Sequence, residues 1–228
     1  MKFSGLQKLT LLDFPGKVAC TVFTAGCNLR CPFCHNASLV YNRAEEIPYN
    51  EVISFLKKRA GLLDGVCLTG GEPLLNLEAA DFLRTAKELG YSVKLDTNGC
   101  YPDRLKAIVQ EGIVDYVAMD IKNSLESYPK TVGIENFDTT PIKESARFLM
   151  NCGVDYEFRT TLVNELHTLD DMHRIGEWLS GAKRYFLQGF VDSGDLIGEN
   201  LSAVSEENTQ KMLKILNWNI PSAQIRGR

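Results

Sequence analysis

The chain has 228 residues, 44% of them hydrophobic and 24% charged, with a formal net charge of −4, the balance of a globular protein long enough to bury a core. The mild negative charge and the lack of any lysine/arginine block exclude direct nucleic-acid binding; KKR at 57–59 reads as a solvated helix stripe. The longest apolar runs are as short as VACTVF at 18–23, so no membrane-spanning segment is expected.

The opening, MKFSGLQKLTLLDFPGK, lacks the apolar region and cleavage site of a secretory signal. A cytoplasmic location is expected, where thiols stay reduced and clustered cysteines bind metal or do chemistry. The first predicted strand is VACTVF (18–23), followed by a cysteine-rich loop and a helical pattern over 50–63. GVCLT (65–69) leads to a helix over 77–90, SVKLDT (92–97) to one over 103–112, and YVAMDIK (116–122) to one over 141–153. YEFRTTL (156–162) precedes a helix over 169–181, and RYFLQGF (184–190) precedes one over 205–218. Apolar residues recur three and four apart in the helices, and several of these end at glycine.

Strict alternation of strand and helix implies a parallel sheet with right-handed crossovers. Six such units use nearly the whole chain, so a single domain over 1–228 is expected. The architecture is α/β, either a doubly wound open sheet or an incomplete (β/α)6 parallel barrel; both place the site at the C-terminal strand ends. The longest irregular stretch, 123–140, is a candidate lid or docking loop.

Unusual residues gather at those strand ends. The loop CNLRCPFC carries Cys27, Cys31 and Cys34, three of the seven cysteines, and no fourth is near. Structural zinc wants four ligands, usually as two pairs. A [4Fe–4S] cubane on three thiolates fits the count better and leaves one iron open to a substrate. Cys20, Cys67 and Cys152 read as packing residues, while Cys100 follows an Asn-Gly turn near the mouth.

After the second strand come Thr69, Gly70, Gly71, Glu72 and Pro73; after the third come Asp96, Thr97, Asn98 and Gly99. Asp120 and Lys122 share one face of the fourth strand, and Arg159 and Thr161 share one face of the fifth. For Arg159 the competing reading is an ion pair with a neighbouring acid. Asp96 and Asp120 together are a candidate monovalent-cation site. His35 follows the cysteine loop directly, whereas His167 and His173 read as capping or solvent-exposed.

CNLRCPFC followed by GGEP resembles the radical S-adenosylmethionine (SAM) superfamily. DTNG and MDIK resemble its branch that activates glycyl-radical enzymes, and TLLDFPGKVACTVFTAGCNLRCPFCHN is similar to the activating proteins of anaerobic ribonucleoside-triphosphate reductase. The resemblance implies the barrel form of the fold and a cluster on Cys27, Cys31 and Cys34, with SAM chelating the fourth iron. One electron then releases a 5′-deoxyadenosyl radical from SAM.

It further implies that Gly70 and Gly71 admit the methionine ammonium, that Glu72 pairs with it, and that Phe33 packs on the adenine. Asp96, Thr97, Asn98, Asp120, Lys122, Arg159 and Thr161 would meet the methionyl carboxylate or ribose. Related activases carry a histidine after the sixth strand; here FLQGF leaves Gln188 or Phe190 in that place. The implied partners are a glycyl-radical enzyme, most directly a class III ribonucleotide reductase, and a low-potential flavodoxin or ferredoxin as electron donor. A small-molecule radical SAM enzyme resembling deazapurine synthases and a non-enzymatic iron–sulfur carrier are the competing readings.

Overall fold

The computed structural model describes residues 3–227. The strands are β1 Phe3–Thr10, β2 Ala19–Thr24, β3 Gly65–Gly70, β4 Ser92–Thr97, β5 Tyr116–Asp120, β6 Asp155–Leu162, β7 Tyr185–Gly189 and β8 Gln224–Arg226. The helices are α1 Ala37–Val40, α2 Tyr49–Arg59, α3 Ala79–Glu88, α4 Pro102–Gln110, α5 Tyr128–Val132, α6 Thr140–Asn151, α7 Leu169–Trp178 and α8 Glu206–Leu216.

All eight strands form one sheet in chain order, β1 antiparallel to β2 and every later pair parallel. That order decides between the two candidate architectures. A doubly wound sheet reverses direction at a switch point, whereas here each right-handed crossover steps the same way and puts its helix on the same face. The sheet therefore curls with the helices outside, and its edge strands β1 and β8 do not pair with each other. This is the incomplete barrel, with two strands beyond the six expected. β1 was illegible because FSGLQKLT has no clean alternation and half-exposed residues throughout its middle; β8 is only three residues long.

Side chains alternate across each strand. The outer set includes Val66, Leu68, Val93, Leu95, Val117, Met119 and Phe158, all fully buried beneath the helices. Helix α3 supplies Phe82, Leu83 and Ala86 to that layer, one apolar stripe at helical spacing. The inner set is polar: Thr21, Cys67, Thr69, Lys94, Asp96, Asp120, Glu157, Arg159 and Thr161. Phe14 packs at the lower end with Ala19, Tyr116 and Ala118, its ring 6.0 Å from that of Tyr116. Just above, fully buried Glu157 accepts the Tyr116 hydroxyl at 2.7 Å and both arms of Arg226 at 2.5 and 2.7 Å.

The stretch 123–140 is not a lid. Asn123, Ser124, Tyr128, Thr131 and Val132 are buried, and the segment folds into the short helix α5. The Val132 carbonyl accepts the Arg30 amide at 2.9 Å, so the segment buttresses the cysteine loop. Among the described residues, no helix is long and apolar enough to cross a membrane.

Candidate functional site

A cavity of about 400 Å³ opens at the C-terminal strand ends, within the size range of small-molecule sites. Cys27, Cys31, Phe33, Cys34, Gly70, Gly71, Asp96, Thr97, Asn98, Asp120, Lys122, Arg159, Thr161 and Gln188 all line it, with His35 at its edge. Of the sequence-predicted site residues, Glu72 does not, and neither do the further candidates Cys100 and Phe190.

Glycines at 70 and 71 are dictated by backbone crowding. A Cβ on Gly70, whose φ is +122°, would stand 2.2 Å from the Thr24 carbonyl oxygen, and one on Gly71 would stand 2.0 Å from that of Gly26. The Gly71 and Glu72 amides donate to those same two carbonyls at 2.9 and 2.8 Å. The turn is thus clamped against the chain entering the cysteine loop, a second reason for glycine besides ligand approach.

Glu72 corrects the expectation of a ligand-facing carboxylate. It is fully buried and accepts the Leu74 amide at 3.0 Å, the Thr97 hydroxyl at 2.9 Å and the Asn98 amide at 2.6 Å. Its work is to join the turn after β3 to the turn after β4. Burial pushes the Glu72 carboxyl up to about 7, against the pull of those three donors. A raised carboxyl favours folding most when protonated, so this contribution is full below the ordinary value near 4.5 and declines as pH rises towards 7. Glu72→Gln should remove that decline, seen as a flatter stability–pH curve in denaturant titrations. The variant should also cost about 1–3 kcal/mol, because an amide NH₂ would face one of the three donors.

The turn after β4 lines the cavity, but its side chains are also committed inward. The Thr97 hydroxyl accepts the Gly99 amide at 3.1 Å while donating to Glu72. Asn98 donates to Asn28 at 2.9 Å and to the Cys27 sulfur at 3.8 Å, and accepts the Cys100 amide at 3.0 Å. Cys100 packs against the core, outside the cavity lining.

Below the thiols runs a chain of alternating charge. Lys94 pairs with Asp96, Asp96 with Arg159 at 3.2 Å, Arg159 with Asp120 at 2.9 Å, and Asp120 with Lys122 at 2.9 Å. Thr69 adds a donor to Asp96 at 3.2 Å. Burial alone would raise the Asp120 carboxyl; Arg159 and Lys122 instead hold it well below the usual range. Burial works likewise against Asp96, and Arg159 and Lys94 bring it down. Burial would lower Lys122, yet Asp120 and then Cys31 hold it up. The cation site expected between Asp96 and Asp120 is a correction: the Arg159 guanidinium bridges those carboxylates itself. Arg159 is ion-paired, as the competing reading has it, and it also lines the cavity.

Lys122 is held by its own backbone. Its amide donates to the Tyr128 hydroxyl at 3.1 Å, and its carbonyl accepts His167 Nε2 at 2.8 Å. His167 Nδ1 accepts the Val163 amide at 3.0 Å, an arrangement that suits a neutral ring with the proton on Nε2. His167 is only 4% exposed and meets Phe33 edge-on at 6.4 Å, correcting its reading as a cap or solvent residue. His173, by contrast, is half-exposed beside Glu177. Gln188, level with Thr161 on the neighbouring strand, takes the place left open by FLQGF; Phe190 is buried and does not line the cavity.

Three soft thiol donors facing one cavity have the chemistry that an iron–sulfur cluster uses. Among the described residues, no three His, Cys, Asp or Glu side chains converge as a single metal ion requires, although all three thiols share one cavity. Amide donors already address a sulfur: the Leu29 N–H lies 3.4 Å from the Cys27 Sγ, alongside Asn98. Such donors tune iron–sulfur clusters. Burial raises the Cys27 thiol and pushes that of Cys31 up to about 12, so soft metal is needed to draw out the thiolates.

Comparison with known proteins agrees with this geometry. The profile of the radical SAM superfamily matches residues 21–179. A Methanocaldococcus jannaschii protein provisionally named a glycyl-radical enzyme activating enzyme is 30% identical over 233 residues, covering 98% of this chain and 95% of its own. The pyruvate formate-lyase 1-activating enzyme of Escherichia coli K12 is 31% identical over 177 residues, 73% of this chain and 70% of that one. A 7-carboxy-7-deazaguanine synthase of Thermoplasma acidophilum is 28% identical over 160 residues, 70% and 69% of the two chains. In fold, a domain of pyruvate-formate lyase-activating enzyme from Bacteroides vulgatus superposes with a TM-score of 0.59 at 22% identity, over 72% of this chain and 99% of that one.

The chain belongs to the radical SAM superfamily, in the branch of the glycyl-radical enzyme activating enzymes. Its cofactors are accordingly a [4Fe–4S] cluster and SAM.

Proposed function

We propose that this enzyme places a radical on a glycine Cα of a class III ribonucleotide reductase, with Cys27, Cys31 and Cys34 holding the cluster. The observation that carries the assignment is one cavity with three thiols above and the cationic groups of Lys122 and Arg159 below. When bound, the cluster and SAM supply a one-electron cleavage that yields a carbon radical able to take the glycine hydrogen.

The chain's own residues bind, orient and exclude water. Backbone at Gly70 and Gly71 meets the methionyl ammonium, Lys122 neutralises its carboxylate, and Phe33 packs on the adenine. Arg159, Thr161 and Gln188 face the ribose side. Asp96, Asp120, Thr97 and Asn98 hold these groups in place. The choice of reductase rests on the likeness of residues 10–36 to its activating proteins. A single domain over 1–228, a cytoplasmic location and a low-potential flavodoxin or ferredoxin as donor complete the reading.

Anaerobic incubation of the reduced enzyme with SAM and the reductase should give a doublet glycyl-radical signal in electron paramagnetic resonance. Cys31→Ala should lower iron from about four per chain towards zero and abolish the doublet. A silent spectrum with an intact cluster rejects the choice of partner. The deazaguanine-synthase relative favours one second reading, a small-molecule substrate; turnover of that substrate without any protein partner would establish it.

A further inference from the structure

Lys122 enters the cavity from a point where the sheet has stopped holding its backbone. Strand β5 ends at Asp120, and the Ile121 amide still donates to the Arg159 carbonyl at 2.8 Å. One residue further on, side chains take over. The Tyr128 hydroxyl accepts the Lys122 amide at 3.1 Å, and His167 Nε2 lies 2.8 Å from the Lys122 carbonyl. A carbonyl can only accept, so Nε2 carries the proton. Burial lowers the His167 pKa and keeps the ring neutral, which leaves Nδ1 to accept the Val163 amide at 3.0 Å.

We propose that His167 is a positioning residue for SAM, holding the Lys122 ammonium against the Phe33 ring and so setting how tightly SAM binds. In the function proposed above, on which this inference rests, Lys122 meets the methionyl carboxylate and Phe33 the adenine. The imidazole stands where those two groups come together. Its ring meets that of Phe33 edge-on, with centroids 6.4 Å apart and planes at 72°, a favoured aromatic geometry. Lys122 Nζ lies 5.8 Å from the same Phe33 centroid, within cation–π range. One buried side chain thus ties the cysteine loop, which carries Phe33, to the end of β5, which carries Lys122.

His167 is itself locked in place. Its amide donates to the Val163 carbonyl at 3.0 Å, and the neighbouring Leu166 carbonyl accepts Asn123 Nδ2 at 2.9 Å. Asn123 Nδ2 also donates to the Thr131 hydroxyl at 2.8 Å, and the Ser124 hydroxyl donates to Asp171 at 2.6 Å. The segments around Lys122 and His167 therefore interlock below the surface. His167 does not line the cavity, so its effect on SAM passes through Lys122 and Phe33. Removing the Nε2 donor leaves the Lys122 carbonyl without its partner and frees that peptide to rotate.

The test compares variants of the reconstituted enzyme. His167→Phe keeps a ring and loses the donor. His167→Gln keeps an N–H donor and an acceptor and loses the ring. Tyr128→Phe removes the other hydrogen bond of the Lys122 backbone. Calorimetry with the oxidised cluster gives the SAM Kd, and 5′-deoxyadenosine formation under chemical reduction gives KM and kcat. His167→Phe should raise Kd and KM by about tenfold, the affinity equivalent of one hydrogen bond. Its kcat should stay within about twofold of the parent, because the lost contact serves ground state and transition state alike. Iron should remain at about four per chain. His167→Gln should recover most of the loss, and Tyr128→Phe should weaken SAM as His167→Phe does.

A histidine that only fills the core would lower thermal stability and leave Kd alone, and that result overturns the proposal. Equal weakening in His167→Phe and His167→Gln overturns it too, as does a fall in kcat at unchanged KM. Should His167→Phe lose its iron, Tyr128→Phe decides: parental Kd there shows that Lys122 stands without its backbone partners, and the proposal fails. Lys122→Met separates this inference from the function beneath it. Parental SAM affinity in that variant removes the role of Lys122 and that of His167 together. Weak binding in Lys122→Met with normal binding in His167→Phe removes only that of His167. Neither measurement needs the reductase, so failure of the proposed partner leaves the comparison intact.

Discussion

Replacing Arg159 with methionine should destabilise the fold by about 3–5 kcal/mol, the range for removing one partner from a buried charge network. Arg159 stands between Asp96 and Asp120, and it is only 15% exposed. Without it, Lys94 and Lys122 remain at the ends, but each carboxylate loses its central partner. The sign of the pH effect follows from the depressed carboxyls of Asp96 and Asp120. A depressed carboxyl contributes stability that is present above its ordinary value near 3.8 and lost as pH falls below it. The parent should therefore lose stability steeply in acid, and Arg159→Met should lose less there because it has less of that contribution to forfeit. Arg159→Lys restores one charge without the planar fork that spans two carboxylates, and should fall between the two. Anaerobic denaturant titrations at pH 7 and at about pH 2.5 measure both effects; a loss under about 1 kcal/mol for Arg159→Met at pH 7 would show that the charge chain does not hold the barrel floor. Calorimetric titration with SAM should show weaker binding as well, since Lys122 is positioned through Asp120.

Lys94 shows how much of this floor the sequence disclosed. Period-two spacing pairs Asp120 with Lys122 and Arg159 with Thr161, and the structure places all four in the cavity. The same spacing pairs Lys94 with Asp96, yet a lysine inside a strand reads as solvent-facing until the barrel is known to have a polar interior. Its side chain is 1% exposed. The parallel α/β sheet was legible because six apolar strands alternate with helices, but that alternation left a doubly wound sheet and a barrel equally open, and the outer strands were not legible: β1 is interrupted by Gly5, Gln7 and Lys8. The residue types of the site were readable from the strand ends, and their orientation was not. Nothing local to GGEP says that Glu72 turns inward, since its partners Thr97 and Asn98 lie 25 and 26 residues on. His167 was missed for a similar reason: its contact is the carbonyl of Lys122, 45 residues earlier.

Gly71→Ala should be among the most damaging single-methyl changes at the site. Its Cβ would stand 2.0 Å from the Gly26 carbonyl oxygen and 2.7 Å from that residue's carbonyl carbon, and both are backbone atoms that no side-chain rotation can clear. Relief requires the turn after β3 to separate from the chain entering the cysteine loop, breaking the hydrogen bonds from Gly71 to Thr24 and from Glu72 to Gly26. Glu72 would then drag on Thr97 and Asn98, so the disturbance spreads to the turn after β4 and to the donors around the Cys27 sulfur. The expected outcome is a loss of about 3 kcal/mol or more, in the upper tail for point mutations, together with iron substoichiometric after reconstitution. Gly189→Ala is the control, because a Cβ there meets nothing closer than a carbonyl oxygen at 3.9 Å. It should reconstitute like the parent and cost little stability. Full iron loading and parental stability in Gly71→Ala would mean that the two turns are not packed backbone to backbone, and the account of why glycine stands there would fail with them.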